Sequence, residues 1–348
     1  MSVTYKITFT PSGPYFFGNE KTFWSRGESD QGVNANRYFI KGEKTPSQST
    51  LFGAVRYLLL APGEQRTLVG AKRAADIVGK ESFRLDSTSV QTFGVLERMS
   101  AMMITDGKDL LIPTPFDHKK KAETYTPFCQ YHPYGKDDAR VYTKEYDAKL
   151  GLADDYMRIG DGTIASDLFR TEVRVGIARN KRKDAFFKKA FWHLKQGYSF
   201  VVYVEIADDN RWSESRQDVV FLGQGKVPFS VCISRVSETV KAVYDQIATC
   251  LTKNRHAGSR WAYCLSDCCA STGMNMNDLY HDVRFAAAAT RDFRSFDTNS
   301  GRISTKLYRL IKAGSMFMIP DNWDKMQNEN AEKIGLNQII YVKENDKK

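Results

Sequence analysis

The residues best suited to chemistry lie between Tyr38 and Leu60, in the run YFIKGEKTPSQSTLFGAVRYLLL. An extended aromatic segment leads into Thr45-Pro46-Ser47, and Pro46 biases Thr45 away from helical dihedrals. Ser47, Ser49 and Thr50 are all strong N-cap residues, so a helix is expected to open there. Leu51, Val55, Leu58 and Leu59 recur at helical spacing, with Arg56 and Tyr57 on other faces. The free N–H groups of such a helix start, beside Lys41, Lys44 and the hydroxyls, form a seat for an anion. In a chain this basic, the expected anion is an RNA phosphate.

A second constellation runs from Arg174 to Lys183. Arg174 falls on a strand, and Arg179, Lys181, Arg182 and Lys183 fall on a loop tip, followed by Phe186, Phe187, Phe191 and Trp192. Cations that track a sugar-phosphate chain and aromatics that stack on unpaired bases are the components of single-strand recognition. Most of these aromatics are also expected in the core, so the charges carry the reading. Arg302, Lys306, Arg309 and Lys312 form a third basic run. On a strand Lys306 and Lys312 would share one face and Arg309 the other.

Patterns for bond-breaking chemistry are weak. There is no GxxxxGK[ST], no GxGxxG opening a helix, no HExxH and no GxSxG. Gly223-Gln224-Gly225-Lys226 follows a strand and reads as a turn between strands. Cys264, Cys268 and Cys269 cluster without zinc-ligand spacing and read as buried thiols, with His256 or His281 the only fourth ligand within reach. No metal or cofactor is expected. His193 sits among apolar residues and reads as a satisfied core histidine. His118 and His132 lie beside lysines in a polar stretch, where a histidine base could serve metal-free RNA cleavage. An exposed loop is the alternative reading for both. Asp154-Asp155 is a carboxylate pair of no defined role.

The 348 residues suit one large domain or two medium ones, and 42% hydrophobic with 12% aromatic residues can bury a core. The net charge of +10 is uneven: Arg170 to Lys195 carries +7 and Arg291 to Lys312 carries +4, leaving the rest about neutral. That concentration points to a polyanion partner, or else to two solvated basic surfaces. The first residues alternate like a strand rather than a signal peptide, and no apolar run reaches membrane-spanning length. Six cysteines in so long a chain fit a reducing, cytoplasmic setting.

Strands are expected at Val3–Phe9, Ser89–Val95, Ala101–Ile104, Leu110–Pro113, Glu172–Ile177, Ala190–Ile206, Val219–Leu222, Val231–Ser234, Trp261–Leu265, Val283–Ala288, and Gln338–Val342. Lys306–Ile311 and Ser315–Ile319 read as two strands around the tight Ala313-Gly314 turn. A second helix is expected over Glu238–Leu251, with Val240, Val243, Ile247 and Leu251 on one face. Thr114 to Asp167 is weakly periodic and reads as an insertion. Many strands with one clear helix in each half make an α+β chain, divided near residue 228.

Four pieces of sequence carry a family resemblance: Pro14-Tyr15-Phe16-Phe17-Gly18 with Thr22-Phe23, Thr45-Pro46-Ser47-Gln48-Ser49-Thr50-Leu51-Phe52-Gly53-Ala54-Val55-Arg56, Arg174-Val175-Gly176-Ile177 with the later Leu222-Gly223-Gln224-Gly225, and Ala313-Gly314-Ser315-Met316-Phe317. In these the chain resembles RAMP-superfamily subunits of the type III-B CRISPR effector, the Cmr complex, above all the subunit that caps the 5′ end of the CRISPR RNA (crRNA). The resemblance implies two ferredoxin-like (RRM-like) domains, 1–228 and 229–348, with an insertion at about 114–170. It implies a non-catalytic subunit that holds the crRNA 5′ handle and meets target RNA only indirectly. Its protein partners would be the large polymerase/cyclase subunit and a backbone RAMP subunit, with no membrane. The RNA contacts it implies are Ser47, Gln48, Ser49, Thr50, Arg56, Arg174, Gly176, Arg179, Gly314 and Ser315, and the basic charge adds Lys44, Lys181, Arg182 and Lys306 as expected phosphate contacts. Where family members end in a GxGxxxxG loop, this chain keeps only Gly335. A metal-independent endoribonuclease of the same superfamily is the alternative, with His118 or His132 as base.

Overall fold

The computed structural model describes residues 2–18, 39–60, 75–134, 138–143, 146–177, 186–207, 211–212, 214–253, 260–271, 274–275, 277–281, 283–297 and 301–343. The fold is α+β and rich in strands. Its largest sheet runs in the order Ser215–Leu222, Val227–Val236, Val3–Pro11, Ser199–Ile206, Met103–Thr105, Leu110–Pro113, Tyr156–Arg158, Ile164–Ala165. Numbered along the chain, Val3–Pro11, Met103–Thr105, Ser199–Ile206 and Val227–Val236 lie side by side as 4-1-3-2, every neighbour antiparallel. A second sheet repeats that order with Arg260–Cys264, Phe285–Ala287, Met316–Ile319 and Ile339–Lys343.

Period-two alternation sends the side chains of each strand to two cores. On the first sheet Phe200, Val202 and Val204 join Ile7 and Phe9 in a core covered by the helix Gln48–Leu59. Val201 and Tyr203, from the same strand, point to the opposite core. The helix Val240–Thr252 lies in that second core with Val240, Val243, Ile247 and Leu251, against Trp261, Tyr263, Met316 and Met318 of the second sheet. Each such buried aliphatic side chain contributes roughly 1.5–3 kcal/mol of hydrophobic stabilisation. The central strand Ser199–Ile206 is buried on both faces because a helix covers each side. That is why it reads as an unbroken apolar run.

Several expectations change. Residue 228 falls inside Val227–Val236, which pairs with Val3–Pro11 along its length, so the first sheet extends past the expected boundary. The Gly223–Lys226 turn returns the chain to the same sheet. The 114–170 stretch is not outside the core. Its strands Tyr156–Arg158 and Ile164–Ala165 continue the first sheet, and Tyr125, Phe128 and Met157 are buried. Single apolar residues between turns carry no period, yet they fill a sheet edge. The strand expected at Ser89–Val95 is Leu96–Met99 instead. Gln91 occupies the preceding backbone, accepting from Arg84 N–H and donating to the Ser82 carbonyl, which competes with ladder pairing. Tyr308–Ile311 and Met316–Ile319 do not pair with each other. The first pairs with Thr290–Phe293 and the second joins the second sheet.

Phe169–Ile177 and Phe186–Leu194 form an antiparallel ribbon, joined by Phe39–Lys41 as a parallel third strand, so the strand expected at Ala190–Ile206 is divided between this ribbon and Ser199–Ile206 of the first sheet. No helix among the described residues is long and apolar enough to cross a membrane.

Candidate functional site

The helix start is built as its sequence dictates. Ser47 is the N-cap in extended conformation (φ −69°, ψ 154°), and its Oγ accepts from Thr50 N–H at 3.2 Å. The same hydroxyl lies 3.0 Å from Ser49 Oγ and 2.8 Å from Thr50 Oγ1. The approach to this cap is fixed from behind. The buried Tyr15 hydroxyl donates to the Lys44 carbonyl at 2.7 Å, and Trp192 Nε1 donates to the Gly42 carbonyl at 2.8 Å.

Ser47 opens onto a cleft of about 380 Å³. One wall is Lys41 to Gln48. A second comes from the 114–170 stretch through Thr114, Phe116, Asp154 and Tyr156. The third comes from Ser266 and Asp267, just past Arg260–Cys264 of the second sheet, and from the separate pair Thr290–Phe293 and Tyr308–Ile311 through Arg291 and the following Lys312 and Ala313. The helix start and Ala313 therefore face one cavity, whereas Gly314 and Ser315, the expected contacts of that turn, do not line it. Trp192 lies at its edge, with Lys41 Nζ 5.2 Å and Lys44 Nζ 5.8 Å from the ring centroid.

Charge in the cleft is mixed. Lys41, Lys44, Arg291 and Lys312 face Glu43, Asp154, Asp155 and Asp267, four cations against four carboxylates, so it is no bare cationic groove. Asp267 is an organiser: Oδ1 accepts from Ala313 N–H and Oδ2 from Arg291 Nη1, each at 3.0 Å. The Asp267 charge raises the Arg291 pKa against the effect of burial. Burial pushes the Asp154 carboxyl up, but the Lys44 hydrogen bond and the charges of Lys312 and Lys44 hold it below the usual carboxylate range. Burial raises Asp155, against the Lys44 charge. Thr114, 1% exposed, keeps a buried hydroxyl with no hydrogen-bond partner among the described residues.

Several expected contacts prove to be framework. Gln48 is buried, its amide bonded to backbone at Ser100, Met102 and Ile334. Arg56 is buried beneath the helix, donating from Nε to the Val78 carbonyl at 2.8 Å and from Nη2 to the Gly79 carbonyl at 3.1 Å. Burial lowers its pKa to about 10. Arg56 does not line the cleft; Gln48 does, with its amide committed to backbone groups that would otherwise be orphaned. Ser315 is also buried, donating to the Lys312 carbonyl at 2.7 Å. Gly314 has φ +96°, and an added Cβ would meet the Phe116 ring at 2.6 Å. Its conformation and the close approach of that ring both require glycine.

The third basic run divides between two places. Lys312 joins the cleft, whereas Lys306 pairs at 3.0 Å with Asp86, which lines a separate hollow with Arg302 and Tyr308.

On the ribbon, Arg174 is half-exposed. It bonds Glu172 at 2.6 Å and lies over the Phe191 ring at 4.8 Å. Lys189 Nζ sits 3.7 Å from the Phe16 ring centroid, and burial lowers its pKa. Gly176 packs against Phe187. His193, expected in the core, bonds Glu172 at 2.7 Å on this ribbon instead. Arg179, Lys181 and Arg182 lie outside the described residues.

His118 is buried, its Nδ1 accepting from Thr126 N–H at 3.1 Å, and burial lowers its pKa. It lines a hollow with Lys119, Lys120 and Tyr146, away from the cleft. The His132 side chain lies outside those described. Cys264, Cys268 and Cys269 are buried free thiols, with Cys268 Sγ 3.2 Å from the Ser266 carbonyl and Cys269 Sγ 3.3 Å from Asn337 Oδ1.

Asp267, Thr114 and Arg291 were not foreseen, and Asp154 was noted only as half of a carboxylate pair without a role. Arg291 had a signal, as the first cation of the second basic window. Asp267 had none, and the Asp154 pair gave no role, because an aspartate in a loop reads the same whether it organises a site or only meets solvent.

No curated protein matches the sequence. A chain of the solved structure titled "Cryo-EM structure of the Type III-B Cmr-beta bound to cognate target RNA and AMPPnP, state 1" aligns with 96% of this chain and 95% of that one, at 13% identity and a TM-score of 0.49. Residues 7–257 match the family described as CRISPR-associated protein (Cas_Cmr3), a span that takes in the helix start, the ribbon and most of the first sheet. The chain belongs to the Cas_Cmr3 family of CRISPR-associated proteins.

Proposed function

We propose that this protein is a non-catalytic RNA-binding subunit of a type III-B CRISPR effector. In this reading it holds the 5′ handle of the crRNA and joins the large polymerase/cyclase subunit to a backbone RAMP subunit in the cytoplasm. Its two sheets are two ferredoxin-like units, which the repeated 4-1-3-2 strand order supports. Family membership supports a place in CRISPR defence.

One observation carries the handle-binding reading. The capped start of the first helix and the turn at Ala313, far apart in sequence, form walls of one cleft with Lys41, Lys44, Lys312 and the Trp192 ring. Ammonium groups beside an aromatic face suit a single-stranded sugar-phosphate chain. The basic ribbon with Arg174 and Lys189 would continue the path outside the cleft.

Co-purification of the protein with its native assembly tests this. Nuclease-sensitive small RNAs that share a common 5′ segment are the expected companions, and Lys44→Ala with Lys312→Ala should lower their yield. An assembly recovered free of RNA would overturn the reading.

A further inference from the structure

Among the cleft carboxylates, Asp154 meets a lysine from each of the other two walls. It comes from the 114–170 stretch, while Lys44 approaches from the first helix start and Lys312 from the strand end of the third basic run. Lys44 Nζ lies 2.5 Å from Oδ2, and Lys312 Nζ lies 3.5 Å from Oδ1. Lys44 also donates to the Asp154 carbonyl at 2.9 Å. The carboxylate thus offers one oxygen to each ammonium group, as a phosphodiester does with its two non-bridging oxygens.

Arg291 is differently disposed, held by Asp267 at 3.0 Å with Glu43 at 4.0 Å. The Asp154 side chain is 59% exposed, and ion pairs of that exposure are weak and exchange readily with solvent or a competing anion. The unpartnered hydroxyl of Thr114 lies in the same wall, a further polar group that a ligand could satisfy.

We propose that Asp154 occupies a two-lysine phosphate seat in the free protein, and that a phosphate of the bound RNA strand displaces it. The inference rests on the cleft being the RNA site. Asp154 then acts as a built-in competitor: an anion must reach both lysines together to displace a carboxylate that already does so. Weak, scattered contacts by other polyanions are disfavoured.

The test uses the full chain and a short fluorescein-labelled single-stranded RNA. Asp154→Asn should tighten binding by about three- to tenfold, the range expected when exposed ion pairs no longer compete. Asp155→Asn removes the adjacent negative charge and should tighten binding less. Adding Lys312→Met to Asp154→Asn should abolish the gain. Asp154→Ser provides a second neutral variant, and thermal midpoints check that each protein is folded. If the unaltered chain binds and Asp154→Asn binds no tighter, or Asp155→Asn matches it, the displacement idea falls and the RNA reading stands. If neither the unaltered chain nor Asp154→Asn binds RNA at low salt, the RNA reading of the cleft falls and takes the inference with it.

Discussion

Gln48 donates from Nε2 to the carbonyl of Ile334 at 3.0 Å, across 286 residues of chain. The same amide donates to the Ser100 carbonyl at 2.8 Å, and its Oε1 accepts from Met102 N–H at 3.0 Å. One side chain in the first turn of a helix therefore ties that helix to the strand approach of the first sheet and to the turn before the last strand of the second. Gly335, at φ +83°, completes the joint, because any Cβ there would run into Gln48 and the Ser100 carbonyl. The lone C-terminal glycine thus has a packing reason to be there. Gln48→Ala would orphan three buried backbone groups and should lower stability by about 2–3 kcal/mol. Urea unfolding measures it. An unchanged midpoint with weakened RNA binding would return Gln48 to the RNA surface.

Arg56 should behave the same way. Its guanidinium closes the Val78 and Gly79 carbonyls beneath the helix, so Arg56→Met leaves them unpaired at a cost of about 2 kcal/mol. Under conditions where the variant is folded, the slope of log affinity for RNA against log salt should not move. A phosphate contact would change that slope by about 0.7 for single-stranded RNA.

That slope also sorts the surface cations. Lys44→Ala, Lys312→Ala and Arg174→Ala should each flatten it by about 0.7 if each meets one phosphate. Lys306, paired with Asp86 at the wall of a different hollow, should leave it unchanged. A Lys306→Ala slope as altered as that of Lys44→Ala would extend the RNA path to that hollow.

The elements that sequence revealed are those in which local pattern and final packing agree. Pro46, Ser47 and the Leu51-Val55-Leu58-Leu59 stripe specify a helix that forms at Gln48–Leu59 under a Ser47 cap. Leu110–Pro113 and the Val240-Val243-Ile247-Leu251 face are also found as read. What escaped depends on long-range geometry. Arg56 and Gln48 were expected as RNA contacts, and only burial against distant backbone shows them as framework. The reach of Asp154 to two lysines from separate walls depends on a stretch with no readable period. Neighbours in the third basic run, Lys306 and Lys312, part company because the strand between them leads from one hollow to another.

The stretch that carries Asp154 is held to the first sheet by Arg158. Its Nη1 lies 2.5 Å from Asp106 Oδ2 and 3.1 Å from Asp109 Oδ2, and its Nη2 donates to the Tyr198 hydroxyl at 3.0 Å. Burial pushes the Asp106 carboxyl up, but N–H bonds from Asp109 and Lys108 and the Arg158 contact outweigh it and hold the group at about 2. A carboxyl depressed in the folded state stabilises the fold in its ionised form. That contribution is complete above the unfolded value of about 3.9 and is lost as pH falls through the folded one. The urea midpoint of the unaltered chain should therefore exceed that of Asp106→Asn by a constant margin near neutral pH. Below about pH 4 the margin should shrink as protonation removes what the substitution has already removed. A margin that persisted undiminished to about pH 3 would mean that the Asp106 charge does not hold this edge of the sheet.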